Sequence, residues 1–403
     1  MKFGGTSVAS QTGRAAIASR VSESLALGEA PVVVVSAMGR RGDAYATDTL
    51  LDLVSDLPPD PSERDLLASV GEIVSAVVVA HELRHEGIEA RAFTGGEAGI
   101  ATDGVNGSAS ITEIHTGPLL AAVERGVVPV VCGFQGLASD GHVTTLGRGG
   151  SDTTACSLGV ALGAEKVEIY TDVDGIMTAD PRTCDDARVL EVVSADELFQ
   201  MARHGSRVVH TPAAELALAS GLSVSVRNTY TDHPGTCVAD IAAYRAAGVA
   251  TAVTQSGPAA RVQVDLGSDE GTSEHMRAQT SVYRAMADAC VSLDMFTPMG
   301  RMLSFTVDES AIPAASRVLD ALGMPYETRP GLAKVTLVGA GMHGVPGVMA
   351  RVSECLADKG VSALQVADSH TTISVLVEAE VSDLACNALH DGFGLDADPL
   401  RPR

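Results

Sequence analysis

Along the first 240 residues, short apolar runs alternate with stretches whose apolar positions recur every three or four residues. The runs at 32–36, 90–94, 128–134, 166–171 and 223–227 have the length and the branched aliphatic content of buried strands. Ile17, Val21 and Leu25 instead fall at the i, i+4, i+8 spacing of one helix face. This alternation predicts an α/β layer sandwich with a largely parallel sheet. Asp140-Gly141, between Phe134 and Thr144, is a two-residue hairpin signal. It predicts a small β-ribbon just ahead of Gly147-Arg148-Gly149-Gly150, placed to lid a site. A helix is expected from about Asp152, with Ser151, Asp152 and Thr153 as capping residues, Leu158 and Leu162 on one face and Gly163 at its C-terminal cap.

The turn-rich Asp232-His233-Pro234-Gly235-Thr236 and the Ala-rich stretch that ends near Ala250 read as the exit from a first domain and a linker helix. Beyond them the pattern predicts strands at 260–266, 303–307, 324–329, 334–338, 364–367 and 372–377, and helices at 273–290 and 346–359. Two βαββαβ-like units of about 70 residues each fit that order. The predicted division is therefore 1–240, 251–330 and 331–403.

Charge narrows the functions. The chain has 28 Lys and Arg against 51 Asp and Glu, a formal net charge of −23, which opposes attraction to nucleic acid or an anionic membrane. No apolar run approaches the roughly 18 residues that span a bilayer. No apolar signal segment follows Met1, so a cytoplasmic protein is expected. Seven separated cysteines without a C-x-x-C argue against disulfides or structural zinc, and most are expected to be buried. No H-E-x-x-H spacing occurs among the histidines, so any metal is expected to be Mg²⁺ accompanying a nucleotide.

Three stretches carry candidate chemistry. Lys2-Phe3-Gly4-Gly5-Thr6-Ser7 places a cation beside paired glycines and hydroxyls ahead of a helix, the composition of a phosphate cradle. In Thr145-Leu146-Gly147-Arg148-Gly149-Gly150-Ser151-Asp152, Arg148 offers a planar fork for a carboxylate, and Ser151 stands at a helix start where anions are favoured. The stretch from Thr171-Asp172 to Met177-Thr178-Ala179-Asp180-Pro181-Arg182 follows a strand, where ligands of open α/β sheets bind; Asp172 suits a ribose hydroxyl and Arg182 a phosphate. Glu72 is read at the start of a helix, and Ser36-Ala37-Met38-Gly39 and Thr47-Asp48 at the sheet edge. Singly, each has a plainer reading as a solvated lysine, a glycine turn or a dipole-favoured acid.

Together, and in this order, these motifs resemble the aspartate kinases. The Gly133-Phe134-Gln135-Gly136 stretch and the segment from Val226-Arg227 to Thr236 extend the resemblance over nearly the whole chain. It looks like a monofunctional aspartokinase of the amino acid kinase superfamily with two C-terminal ACT domains. The resemblance implies ATP-dependent phosphorylation of the L-aspartate side chain to 4-phospho-L-aspartate, for lysine, threonine and methionine synthesis. It implies Lys2 and Asp152 as catalytic residues, and Thr47, Glu72, Arg148 and Ser151 as aspartate contacts, Glu72 for the ammonium and Arg148 for a carboxylate. Gly4, Gly5, Ser36, Gly149, Gly150, Thr171, Asp172, Met177, Thr178, Asp180, Arg182 and Arg207 would hold ATP with Mg²⁺. An amino-acid effector (lysine, threonine or diaminopimelate) would meet Met342, Val345, Asp368 and Ser369, and a homodimer or higher homo-oligomer is the expected assembly.

Two departures stand out. A short strand usually precedes Lys-Phe-Gly-Gly in the family, whereas this chain begins one residue before the lysine, which would leave Lys2 on a frayed terminus or mean that the true start lies upstream. Arg207, in Gly205-Ser206-Arg207-Val208, stands where a nucleotide-contacting lysine is usual, and a wider planar cation there predicts altered ATP binding. A kinase for another small amino-acid carboxylate and a non-catalytic amino-acid sensor remain the competing readings.

Overall fold

The computed structural model describes residues 1–56, 58, 60–206, 213, 216, 219–239, 248–268, 270–342 and 344–397. The chain divides into two units. The first comprises Met1–Ile176, Val189–Ala202 and the described part of 207–243; the second comprises Met177–Arg188, Arg203–Ser206 and the described part of 244–403.

In the first unit the strands are β1 (Lys2–Phe3), β2 (Val33–Val35), β3 (Ala90–Phe93), β4 (Ile100–Thr102), β5 (Ile111–Ile114), β6 (Val128–Cys132), β7 (Gln135–Ala138), β8 (Val143–Thr145), β9 (Val167–Thr171), β10 (Val192–Ser194), β11 (Val224–Asn228) and β12 (Thr236–Ala239). Its helices are α1 (Gly5–Ala9), α2 (Gln11–Ala26), α3 (Thr47–Asp52), α4 (Pro61–His85), α5 (Gly117–Val123), α6 (Gly150–Leu162) and α7 (Ala195–Arg203). Eight strands form one sheet in the order β10-β12-β11-β9-β1-β2-β6-β3, parallel except where β12 runs against β11. The central strands are buried on both faces, as their unbroken Val-rich runs require.

Lys2 is not on a frayed end: it lies in β1, in parallel register with Val34 of β2 on one side and Ile169 of β9 on the other. Ile17 and Val21 of α2 are buried as predicted, whereas Leu25, near the end of that helix, is exposed. The hairpin at Asp140-Gly141 forms between β7 and β8, with Gly141 at a φ of +88°. It does not project as a lid, because β7 also pairs with β4 in a second sheet of order β5-β4-β7-β8.

Helix α4 is 25 residues long, and by length and composition alone it would suffice to cross a membrane. Its Ala76, Val79, Ala80 and Leu83 instead join Phe3, Val33, Val35 and Ile17 in the core of the unit. The helix starts at Pro61, where the Asp60 side chain accepts the Ser62 and Glu63 N–H groups at 2.9 and 3.1 Å. Glu72 is therefore in mid-helix rather than at a helix start.

The second unit contains β13 (Ala252–Asp265), α8 (Ser273–Asp288), β14 (Asp294–Met299), β15 (Met302–Asp308), α9 (Ile312–Leu322), β16 (Tyr326–Val338), α10 (Val348–Asp358), β17 (Gln365–Asp368), β18 (Thr372–Glu378) and α11 (Ser382–Gly392). One six-stranded sheet, β14-β15-β13-β16-β18-β17, runs through it. The first half runs β13-α8-β14-β15-α9 into β16, whose 326–329 stretch pairs back with β13, which is the expected βαββαβ order. The second runs β16-α10-β17-β18-α11 and pairs β16 with the first part of β13, and α9 and α11 are additions to the elements read from sequence. The boundary expected at 330/331 falls inside β16. Pro330-Gly331 breaks the apolar pattern, and Gly331 has a φ of +73°, but antiparallel pairing to β13 spans both sides of it. The linker helix expected before 250 lies, for residues 240–247, outside the described residues.

Candidate active site

The carboxyl ends of β1, β2 and β9 lie side by side, because Gly4 N–H donates to Tyr170 O at 3.2 Å and Ser36 N–H to Phe3 O at 3.2 Å. Glycine is required just beyond β1: a Cβ on Gly5 would stand 2.3 Å from the Ala37 carbonyl oxygen, so only a bare backbone lets the two loops meet. Next to this edge a cleft of about 580 Å³ opens in the first unit. Lys2, Ser36, Thr47, Glu72, Arg148, Gly149, Gly150, Ser151 and Asp152 line it, so the structure brings together nine of the residues picked from sequence.

Lys2 Nζ pairs with Asp152 Oδ1 at 2.6 Å, with both side chains about nine-tenths buried. Asp152 is free to do this because it does not cap α6. Gly149, with a φ of +69°, takes the cap position without a side-chain bond. Ser151 and Asp152 thus sit in the first turn of α6, where backbone N–H groups favour anions. The C-terminal cap is Gly163, at a φ of +63°, as expected.

Glu72 is buried, and its Oε1 accepts the Ala37 N–H at 3.0 Å, while Oε2 has no partner. Burial pushes its carboxyl up to about 8, against a smaller opposing effect of the backbone hydrogen bonds. A buried acid with one vacant oxygen facing a cleft is suited to a ligand's ammonium group. Arg148 is exposed in the cleft and makes no hydrogen bond or ion pair among the described residues, which leaves its fork available for a carboxylate. Burial pushes the Cys132 and Cys156 thiols up to about 12, and no cysteine lines the cleft. Among the described residues no group of three or more His, Cys, Asp or Glu side chains is placed to hold a metal ion.

Sequence reading missed Arg64, Asp65, Asn106, Gly107 and Phe134 as lining residues. Once α4 is started at its Asp60-Pro61 cap, Pro61, Arg64, Asp65, Ala68 and Glu72 fall on one helix face, so a capping signal was there to find. Phe134 has a φ of +69°, a strained backbone for a non-glycine residue, and only tertiary structure reveals it.

The other expected contacts lie elsewhere. Gly4, Gly5, Thr171 and Asp172 are at the strand ends of the first unit but do not line the cleft, and Asp172 is 3.6 Å from Arg40. Met177, Thr178, Asp180 and Arg182 belong to the second unit. Thr178 is fully buried there; its hydroxyl pairs with His390 Nε2 at 2.9 Å and accepts the Arg188 N–H at 3.1 Å, so it is not open to a nucleotide. Arg182 pairs with Asp180 at 2.6 Å. Arg207 lies outside the described residues. Of the effector candidates, Met342 is buried in the core with Val335, Val348 and Val352, which removes its side chain from ligand contact. Val345 and Asp368 are exposed, and the Ser369 hydroxyl closes a turn by accepting the Thr372 N–H at 3.1 Å.

A mostly parallel α/β sheet with a lysine-glycine edge, followed in sequence by a unit built of βαββαβ-type halves, fits a class of small-molecule kinases, and comparison with known proteins supports that class. Residues 1–228 match the amino acid kinase family and residues 327–391 the ACT domain. Aspartokinase 1 of Bacillus subtilis is 40% identical over 407 residues, covering 98% of both chains. The aspartokinase of Mycolicibacterium smegmatis is 40% identical over 419 residues, covering 98% of this chain and 96% of its own. The fold is that of E. coli aspartokinase III in complex with aspartate and ADP, with a TM-score of 0.79 at 24% identity over 98% of this chain and 99% of the other. The chain belongs to the amino acid kinase family and, within it, to the aspartokinases.

Proposed function

We propose that this chain transfers the γ-phosphoryl group of ATP to the side-chain carboxylate of L-aspartate, giving 4-phospho-L-aspartate. The observation that carries this reading is the convergence in one cleft of the Lys2–Asp152 pair, the buried Glu72 and the unpaired Arg148. Glu72 would take the ammonium of aspartate, Arg148 a carboxylate, and Thr47 and Ser151 its remaining oxygens. The attacking carboxylate has an ordinary pKa of about 3.9 and is ionised at neutral pH, so the site needs no general base. Its task is to align that oxygen with the phosphorus and to neutralise the charge that spreads over the phosphoryl oxygens.

Lys2 supplies that cation from a strand flanked by two others, and Asp152 fixes its ammonium group. Gly4, Gly5, Ser36, Gly149, Gly150, Thr171 and Asp172 would hold the nucleotide through backbone N–H groups and short polar side chains. A Mg²⁺ would come with the phosphates of ATP, since that ion gives up its water reluctantly and is usually bound through one or two carboxylates plus substrate phosphates. We place the enzyme in the cytoplasm as a homo-oligomer, and assign the ACT-bearing unit the binding of an amino-acid effector. E. coli aspartokinase III, which has been solved with lysine and aspartate in a T-state, supports that assignment.

The test is an ATP and L-aspartate reaction in which hydroxylamine traps the acyl phosphate. Hydroxamate is expected from the native chain. Lys2→Ala should lower turnover about 10²–10³-fold, the usual cost of removing one preorganised charge-stabilising group. A native chain that forms no hydroxamate from aspartate would overturn the reading.

A further inference from the structure

Asp65 is a buried carboxylate in the second turn of α4 that accepts hydrogen bonds from four groups. Gly107 N–H reaches Oδ2 at 2.9 Å and Oδ1 at 3.1 Å, and Asn106 Nδ2 reaches Oδ2 at 3.1 Å. Thr145 donates its N–H to Oδ2 at 3.0 Å and its hydroxyl to Oδ1 at 2.8 Å. One side chain thereby ties α4 to two segments more than forty positions away. Thr145 ends β8 three residues before Arg148, and Glu72 stands seven residues after Asp65 on the same face of the same helix. The two tied segments also touch: a Cβ on Gly147 would lie 3.2 Å from the Gly107 carbonyl oxygen.

We propose that Asp65 is a positioning residue that sets the span between Glu72 and Arg148, the groups assigned to the two ends of the amino-acid substrate. The inference rests on the aspartokinase reading of the cleft and adds a determinant of substrate length to it. Helix α4 is stiff over those seven residues, so Glu72 moves with Asp65, while the loop carrying Arg148 is held to the helix through Thr145. Asparagine at 65 keeps the shape but loses the charge. With its amide oxygen on the Oδ2 side it keeps the three N–H donors there more weakly, and on the other side its NH₂ faces the Gly107 N–H and is met only if the Thr145 hydroxyl turns round to accept, so the clamp is loosened. A carboxylate suits this place because its two charged oxygens accept from all four groups at once and strengthen each of those bonds.

The test compares Asp65→Asn with the native enzyme in the hydroxamate assay, with folding checked by circular dichroism and thermal unfolding. The expected result is a KM for L-aspartate raised at least tenfold, with the KM for ATP changed less than twofold. In an Arg148→Lys background, where the carboxylate fork is already lost, Asp65→Asn should raise the aspartate KM less than threefold further. Thr145→Val, which removes only the hydroxyl donor, should shift the aspartate KM in the same direction by a smaller factor, and it carries the test if Asp65→Asn does not fold. An unchanged aspartate KM in these variants, or independent multiplicative losses in the Arg148→Lys background, would overturn the proposal. A native chain that makes no hydroxamate would instead overturn the reading it rests on.

Discussion

Glu72 shows how far one side chain's role depends on where its helix begins. Read as an acid at a helix start, it would be exposed and ionised; in mid-helix it is buried and holds its proton to about 8. The unfolded chain releases that proton near the ordinary value of 4.5, so between about 4.5 and 8 the folded state carries more protons and its stability falls as pH rises. A ligand ammonium reverses the preference, because it needs the ionised carboxylate. The KM for L-aspartate is therefore expected to fall as pH rises toward 8, by up to about tenfold per pH unit, and to become flat over this range in Glu72→Gln. Steady-state kinetics at saturating ATP from pH 6 to 8.5 check this, and a flat native profile would contradict it. Lys2, Gly149, Gly150, Arg148 and Ser151 were legible as candidates because lysine next to glycines and a Gly-Arg-Gly-Gly run are unusual compositions. Asp65 was not legible, since a lone Asp in a helix carries no sign of the four donors that meet it.

At the scale of elements, the site depends on backbone segments that approach more closely than any side chain permits. Gly5 opens α1 with its Cα against the Ala37 carbonyl, and that oxygen belongs to the loop that also donates the Ala37 N–H to Glu72. Gly5→Ala should destabilise the first unit by about 1–3 kcal/mol through overpacking and should weaken activity with it. Gly117, which opens α5 with nothing within 4 Å of a Cβ, is the control: Gly117→Ala should stay within about 0.5 kcal/mol of the native chain. Urea unfolding of the two variants separates these outcomes, and equal midpoints would remove the steric argument. Most strands and the α6 helix were readable from local patterns, including the Asp140-Gly141 turn and the Gly163 cap. The start of α4 was hidden because Pro58-Pro59-Asp60-Pro61 reads as a loop, although Asp-Pro is also the beginning of a capped helix.

At the scale of the whole molecule, the chain's units are not consecutive stretches of sequence. Met177–Arg188 follows the first-unit strand β9 yet packs in the second unit, where Ala179 and Cys184 join its core and Val253 N–H donates to Thr178 O at 2.8 Å. The second unit is likewise not two separable repeats, because β16 pairs with β13 from Ala252 to Val264 and with β18 from Leu332 to Val338. A fragment starting at 331 would lose the first part of β16 and every partner on β13, leaving the Val335 and Leu337 strand as an open edge. Such a 331–403 fragment is expected to lack a cooperative thermal transition, while the intact chain shows one; circular dichroism melting of both decides it. A cooperative melt of the fragment would show the repeats to be independent.

Apolar periodicity was enough for the layer architecture and local composition for the glycine edge, while the family was read from the resemblance of several short motifs in one order; each of these is written in residues close together along the chain. Tertiary structure alone decided the Lys2–Asp152 pair, the clamp at Asp65, the burial of Glu72, and the assignment of residues 177–188 to the second unit. These are distances between residues far apart in sequence, and short-range patterns hold no information about them. They are set when sheet register and helix packing bring separate strand ends together in the folded chain.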